Sequence, residues 1–296
     1  MTPAITVRQL VKRFGRLVAV DHLDFSVAPR ETLVLWGANG AGKTTVLRCV
    51  LGVVPFDGSI QVLGHEVRTQ GKAARAELGY VPQEIRFPGE QTVWETVAFY
   101  ARLRRLPAAR ATALLDQWQL LSAAHRPVRA LSGGMKQKLA LVVALLSDPP
   151  VLLLDEPTSN LDAASRRDFS VLLDQLKRSG KTLLCCLHRV GEVWKLADRV
   201  VVLEQGRKVS EGSPQLVAGS LQARTVVCLT VAHDRMAQAA DLLTAHGFTV
   251  ERNGMQLWVG VSEGRKVEPI QRLMEAGIPL LDLELGEEAG AGRGNP

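Results

Sequence analysis

A strand, a glycine-rich loop and a helix follow one another in ETLVLWGANGAGKTTVLRCVLG, residues Glu31 to Gly52. The apolar beginning has the length of a buried strand, and the middle matches G-x-x-x-x-G-K-[ST] at Gly37–Thr44. Glycines here let backbone N–H groups curl around phosphate oxygens. Lys43 adds a cation for the same oxygens, and the Thr44 hydroxyl suits Mg²⁺. The segment therefore predicts a phosphate-binding loop in an α/β fold.

An acidic pair ends a second apolar run, VLLLDEP, residues Val151 to Pro157. Four apolar residues predict a buried parallel strand, which carries charge only where it ends. Asp155 would lie at the carboxyl end, where open α/β sheets bind ligands, and could hold Mg²⁺ directly or through water. Glu156 follows, and we expect it to polarise a water molecule against a γ-phosphate.

A second phosphate-type helix start lies in ALSGGMKQKLALVVALL, residues Ala130 to Leu146. Ser132 is a natural N-cap, and Gly133 and Gly134 leave backbone amides bare before an apolar helix. Free N–H groups and the positive end of a helix dipole make such a start an anion site. The chain thus carries two predicted phosphate-binding helix starts.

Between and after these segments, strands alternate with helices, which predicts a largely parallel sheet covered on both faces. We expect a first domain over residues 1–219, with a helical subdomain at about 84–147. Residues 220–286 have the order β-α-β-β-α-β of a small α+β ferredoxin-like domain. Residues 287–296 lack core-forming side chains, and we expect a disordered tail.

Within the small domain, we expect one sheet face to pack against two helices. The predicted sheet residues are Val227, Leu229, Leu257, Val259, Leu281 and Leu283, and the helix residues are Met236, Ala240, Leu243, Ile270 and Met274. His233 and His246 lack ligand partners in the sequence, so an interaction or regulatory role is expected, and not a second enzyme.

Composition limits the partners. The 296 residues carry a formal charge of +6 and a pI of about 9.3, which suits anionic partners. No dense Lys/Arg run with interleaved aromatic residues occurs, so we expect no nucleic-acid partner. Neither a signal peptide nor a run of about 18 apolar residues is present. We expect a cytosolic chain whose membrane span, if it needs one, belongs to another subunit.

The motifs and their order resemble those of ATP-binding-cassette (ABC) transporter nucleotide-binding subunits, over roughly Ile5 to Gly212. Gly37–Thr45 matches the Walker A loop, VLLLDEP the Walker B strand, and LSGGMKQK the family signature, with Met135 and Lys138 departing from the common form. The fold class implied is an ABC-type P-loop NTPase with a mixed sheet core and a helical subdomain.

The resemblance assigns roles residue by residue. The implied ATP-binding residues are Phe14, as the adenine-stacking aromatic, with Gly37, Ala38, Asn39, Gly40, Ala41, Gly42, Lys43, Thr44 and Thr45. The implied catalytic residues are Glu156, the switch histidine His188 and the Q-loop residue Gln83. The implied metal ligands are Thr44, Gln83 and Asp155. The residues implied to face a partner's ATP are Ser132, Gly133, Gly134 and the D-loop residue Asp162.

The resemblance also implies partners. ATP and Mg²⁺ would be the cofactors, and two subunits, here two copies of one chain, would pair head to tail around the nucleotides. Integral-membrane permease subunits would hold the dimer at the cytoplasmic face of the membrane, docking between Gln83 and the signature, with Phe87 lining a groove. The single cassette with a C-terminal domain is similar to ATPases of ABC-2 type exporters.

Two alternatives remain, of which the importer shares every catalytic motif. One is an importer ATPase. The other is a soluble, non-transport ABC ATPase acting on ribosomes or DNA, although such proteins typically carry paired cassettes or long coiled-coil insertions. Co-purification with a membrane protein would separate transport subunits from the soluble class.

Overall fold

The computed structural model describes residues 2–159, 161–187, 193, 196–221, 225–253, 256–261 and 267–287. The chain forms two compact units, Met1–Pro214 and Gln215–Pro296. This division falls earlier than the boundary expected after Gly219. In the described part of the chain, no helix has the length and apolar character to cross a bilayer.

The first unit contains two sheets. Its strands are β1 (Ile5–Phe14), β2 (Leu17–Val27), β3 (Thr32–Trp36), β4 (Asp57–Val62), β5 (His65–Glu66), β6 (Leu78–Val81), β7 (Val151–Asp155), β8 (Thr182–Leu187), β9 (Arg199–Glu204) and β10 (Arg207–Gly212). One sheet has the order β10-β9-β3-β8-β7-β6, and the other has the order β2-β1-β4-β5. In the larger sheet β9, β3, β8, β7 and β6 pair in parallel, and β10 joins antiparallel to β9. The core is therefore a mixed sheet, with a separate antiparallel sheet beside the parallel one that the sequence pattern predicted.

The helices of the first unit separate or follow these strands. They are α1 (Lys43–Val50), α2 (Gly71–Ala76), α3 (Val93–Leu103), α4 (Ala108–Gln117), α5 (Gly133–Leu145) and α6 (Ala163–Arg178). Helices α3, α4 and α5 lie within residues 84–147, where the sequence predicts a helical subdomain. Thr92 begins α3 in a capping box, because its hydroxyl accepts from the Glu95 N–H and the Glu95 carboxylate accepts from the Thr92 N–H.

Strand β3 forms because five residues of mostly apolar character, TLVLW, can be buried on both faces at the centre of the sheet. Its neighbour β8, and β7 on the far side of β8, are buried along their whole length. Apolar residues of α1 pack with those of β1, β3, β4 and β8 in one core cluster. This packing anchors the start of α1 at the end of β3, where the glycine-rich loop lies.

Helix α7 (Pro214–Leu221) begins at the last residue of the first unit and continues into the second. The second unit also contains β11 (Thr225–Val231), α8 (Met236–Ala245), β12 (Thr249–Asn253), β13 (Gln256–Val261), α9 (Glu268–Glu275) and β14 (Leu280–Glu287). From β11 onward the order is β-α-β-β-α-β, and the antiparallel sheet has the order β12-β13-β11-β14. The ferredoxin-like classification of this unit stays a prediction. Strand β14 includes residue 287, which the sequence analysis assigned to the tail, and residues 288–296 lie outside the described residues.

The core of the second unit corrects two predicted contacts. Met274 and Leu281 are exposed, while Leu273 and Leu280 pack with the core in their places. Leu280 replaces Leu281 because the pairing of β11 with β14 shifts in register between Thr230 and Val231. A shift of one residue moves the side chains of a strand to the opposite face.

Candidate nucleotide-binding site

The sheet order brings the predicted site segments to one edge. Strands β3, β8, β7 and β6 are neighbours and run parallel, so their carboxyl ends lie side by side. The glycine-rich loop follows β3, Asp155 ends β7, and Gln83 lies just beyond β6. His188 directly follows β8 in the sequence but lies outside the described residues.

At two positions of the loop from Gly37 to Gly42, the backbone has a conformation that only glycine adopts readily. Gly40 and Gly42 have φ values of 83° and 99°. A side chain on Gly42 would also collide with the Ala19 carbonyl oxygen. Gly42 is the N-cap of α1, so the free N–H groups at the start of that helix lie at the loop. This loop and helix start form a cradle that fits an anion.

Lys43 is directed into the loop. Its ammonium donates to the carbonyl oxygens of Gly37 and Ala38, at 2.7 and 3.0 Å, and lies 3.7 Å from Oε1 of Glu156. The side chain is only 5% exposed. The structure therefore brings together the cation and the acidic residue that the sequence analysis placed on one phosphate group.

Thr44 and Asp155, two of the predicted metal ligands, are in direct contact. The Thr44 hydroxyl donates to Oδ1 of Asp155 at 2.9 Å, and the Tyr80 hydroxyl lies 3.5 Å from Oδ2. Burial raises the pKa of Asp155, and the Thr44 hydrogen bond opposes that shift. A hydroxyl and a carboxylate are hard oxygen ligands of the kind Mg²⁺ binds.

Tyr80 is a site residue that sequence reasoning missed. Burial and the nearby Asp155 charge raise the pKa of Tyr80 to about 12, so it remains a neutral hydroxyl at physiological pH. Tyr80 lies in β6 and Asp155 ends the adjacent strand β7, so their contact depends on the pairing of these two strands. No local sequence signal reports that pairing.

Glu156 is held in a fixed position beyond the end of β7. Its N–H donates to the Cys186 carbonyl oxygen at 3.1 Å, and the Gln83 side-chain amide donates to its Oε2 at 3.1 Å. The residue has a φ of 44°, a left-handed conformation that a glutamate rarely adopts. Strained backbone of this kind concentrates at functional sites. Gln83 and Glu156, each predicted to be catalytic, are in direct contact.

The predicted partner-facing residues lie at the starts of two packed helices. Ser132 is the N-cap of α5, and its hydroxyl accepts from the Met135 N–H at 3.3 Å. Ser132 and Gly133 are exposed. Asp162 is the N-cap of α6, where its carboxylate accepts from the N–H and the hydroxyl of Ser165, at 2.8 and 3.1 Å. These hydrogen bonds lower the pKa of Asp162.

Ser165, which the sequence did not identify as a site residue, lies between the start of α5 at Gly134 and the start of α6 at Asp162. A Cβ added to Gly134 would lie 2.9 Å from the Ser165 hydroxyl oxygen and 3.0 Å from its Cβ. Gly134 therefore has a packing reason to be glycine, in addition to its bare amide.

Phe14, the predicted adenine-stacking residue, ends β1 and is 46% exposed. The Lys12 ammonium lies 4.5 Å from the centroid of its ring. Sequence reasoning did not identify Lys12, because it lies in an ordinary strand pattern.

The site's residues fit a magnesium nucleotide. The loop amides and Lys43 provide donors and a cation for phosphate oxygens, the Thr44–Asp155 pair provides metal ligands, and Phe14 provides an open aromatic surface.

Comparisons with known proteins agree with this geometry. The ABC transporter family model matches residues 20–159. Nod factor export ATP-binding protein I of Ralstonia nicotianae is 40% identical over 218 residues, covering 72% of this chain and 68% of that protein. The protein of the same name from Cupriavidus metallidurans is 35% identical over 268 residues, covering 89% and 88%, so the similarity extends into the second unit.

A solved structure shares the fold. The structure of cbiO1 from Clostridium perfringens, part of the ABC transporter complex cbiONQ, has a TM-score of 0.67 at 25% identity and covers 75% of this chain and 92% of that chain. The mixed α/β ABC fold predicted from the motifs is thereby confirmed. This chain belongs to the ABC transporter family, as an ATP-binding ATPase subunit of a transporter.

Proposed function

We propose that this chain hydrolyses ATP to drive export of a cargo through integral-membrane permease subunits. The observation that carries the proposal is the contact of Glu156 with both Lys43 and Gln83 beside the glycine-rich loop. Export in particular is supported by the relatives, which are named as export ATP-binding proteins. The chain would work at the cytoplasmic face of the membrane, held there by the permease.

The residues divide the chemistry among them. Bound MgATP would supply the transferable phosphoryl group. Lys43 would exchange its loop carbonyl oxygens for phosphate oxygens, and Thr44, Asp155 and Gln83 would hold Mg²⁺ directly or through water. Glu156 would accept a proton from the attacking water, and its contact with Gln83 keeps its carboxylate oriented. His188 is proposed to hold the γ-phosphate, as the family resemblance implies.

A second copy of the chain would complete each site. Ser132 and Gly133 are exposed at the start of α5, so their amides and the helix dipole are accessible to another molecule. Asp162 begins the neighbouring helix α6. We propose that Ser132, Gly133, Gly134 and Asp162 serve the partner's nucleotide in a head-to-tail dimer, which ATP holds closed and hydrolysis releases.

The segment after Gln83 presents an aromatic cluster for the permease. The ring of Tyr100 meets Phe87 and Phe99 edge to face, with centroids 6.1 and 5.3 Å apart. Phe99 is 43% exposed, whereas Val93 of the same helix is fully buried. We propose that the three rings contact a helix of the membrane subunit and that Val93 serves the core.

Purification of the tagged chain from detergent-solubilised host membranes tests the function. We expect a polytopic membrane protein in stoichiometric amount, identified by mass spectrometry, and magnesium-dependent ATP hydrolysis by the purified chain. Phe99→Ser should reduce the recovery of that protein while leaving ATP binding unchanged. Recovery with ribosomes or nucleic acid would contradict the transport role, and ATP hydrolysis absent from a folded chain would contradict the enzymatic role.

A further inference from the structure

Lys12 is a buried lysine beside the predicted base-stacking residue. It is 8% exposed, and its ammonium lies 4.5 Å from the centroid of the Phe14 ring. Within the part of the chain that the structure describes, no carboxylate forms an ion pair with this ammonium. A buried charge needs compensation, and the electron-rich face of an aromatic ring provides part of it.

The ring of Phe14 is covered incompletely. Phe14 is 46% exposed although the buried Lys12 ammonium lies over its ring. An aromatic ring has two faces, so a cation on one leaves the other available for stacking. The exposed area of Phe14 is therefore a surface on which a planar base can lie.

The charge of Lys12 also acts on the buried thiol of Cys49 in α1. Burial raises the pKa of that thiol to about 11, and the Lys12 charge opposes the shift.

We propose that Lys12 is a positioning residue for the nucleotide base. Its ammonium holds the Phe14 ring in one orientation and draws electron density toward its own side, so that the opposite face stacks better on an electron-rich purine. This inference rests on the proposed ATP-hydrolysing function and adds a residue that determines affinity for the base. Lys12 acts through Phe14 and contacts neither phosphate nor metal.

Calorimetric titration of Lys12→Met with ATP, and separately with inorganic tripolyphosphate, tests the proposal. Methionine keeps an unbranched apolar stem and removes the charge. ATP affinity should fall by about three- to tenfold, because the ring loses its fixed orientation and its polarisation, while tripolyphosphate affinity stays unchanged. Lys12→Arg keeps a cation and should retain most of the affinity. Arg13→Met removes a positive charge from the exposed neighbouring position and serves as the matched control.

A double-mutant cycle gives the decisive comparison. In a Phe14→Leu background, Lys12→Met should have no further effect on ATP affinity, because the ring through which it acts is gone. Equal losses for ATP and tripolyphosphate would show that Lys12 acts on phosphate and would overturn the proposal. Unchanged ATP affinity in folded Lys12→Met would likewise overturn it, leaving a purely structural lysine.

Two further results keep these outcomes distinct. Thermal unfolding identifies a variant that fails to fold, and Lys12→Gln then replaces Lys12→Met in the same titrations, with the same outcomes deciding. If the wild-type chain itself binds no ATP, the proposed function fails. If wild type binds ATP normally and only the Lys12 variants show no selective loss, this inference alone fails.

Discussion

The ammonium of Lys43 lies 3.7 Å from Oε1 of Glu156, and both side chains are more than nine-tenths buried. The cation that would bind phosphate and the carboxylate that would activate water therefore compensate each other's charge. Since an uncompensated buried charge is costly, changing either residue affects the other. Glu156 has a further contact with the Gln83 amide, so its carboxylate has a second partner besides Lys43.

Glu156→Gln should lower the rate of ATP hydrolysis by about 10² or more, because it removes the proton acceptor while keeping the side-chain shape. It also frees Lys43 from a negative partner, so affinity for ADP, measured by calorimetry, should stay the same or rise. Lys43→Ala is the control, because it should lose binding of both nucleotides. Hydrolysis at the wild-type rate in Glu156→Gln would rule out Glu156 as the base.

Asp155→Asn should raise the unfolding temperature of the nucleotide-free chain at neutral pH. Burial raises the pKa of Asp155 above its ordinary 3.8, so the fold disfavours the charged carboxylate. This penalty is absent at pH values below the pKa of Asp155 in the unfolded chain. It grows as the pH rises through the pKa of Asp155 in the folded chain. The gain from Asp155→Asn should therefore shrink as pH falls toward 4.

Magnesium-dependent nucleotide binding should weaken in the same Asp155→Asn variant, as expected when a functional charge is removed from a buried site.

Asp162→Asn is the matched control for the change in unfolding temperature. The pKa of Asp162 is lowered by hydrogen bonds, so removing its charge should bring no such gain. An unfolding temperature that stays constant or falls in Asp155→Asn at neutral pH would refute the expectation.

Gly134→Ala should lower stability and ATP hydrolysis, because its Cβ would collide with Ser165, whose hydroxyl is held by Asp162. Overpacking of this kind typically costs about 1–3 kcal/mol. Adding Ser165→Gly removes the colliding atoms and should restore part of the unfolding temperature, with Ser165→Gly alone as the reference. If the double variant is no more stable than Gly134→Ala, the collision is not the cause.

Mixing Ser132→Arg with Lys43→Ala tests whether the sites are shared between subunits. Each variant alone should be inactive. In a mixed head-to-tail dimer both lesions fall on one composite site, and the other remains intact. ATP trapping at that intact site, measured with labelled nucleotide, should appear only in the mixture. A mixture that traps no more ATP than the separate variants would argue against shared sites.

Removing the chain after Gly219 should leave ATP affinity unchanged, because the described contacts of Lys43, Asp155 and Glu156 are made within the first unit. Dimerisation or coupling to transport should change instead, as sedimentation analysis and permease-stimulated hydrolysis would show. Lost ATP binding in a shortened chain that remains folded would show that the second unit contributes to the nucleotide site.

The local chemistry of this protein follows from short stretches of its amino-acid sequence. A strand, a glycine loop and a lysine in direct succession form a phosphate cradle wherever they fold, because their geometry depends on neighbours along the chain. The same holds for Ser132 and Asp162, whose hydroxyl and carboxylate cap the helices that begin directly after them. Such residues can therefore be recognised from the sequence without the fold.

Contacts between residues far apart in the sequence depend on how the strands and helices pack. The contacts of Tyr80 with Asp155 and of Ser165 with Gly134 depend on strand order and helix packing, which local patterns do not encode. The same applies to Lys12, whose role beside Phe14 depends on its burial within the first unit. In the second unit, a register shift places Leu280 against the core, where the sequence pattern predicted Leu281. The alternation of apolar residues predicts that a strand has a buried face, but pairing with its neighbour selects which residues occupy it.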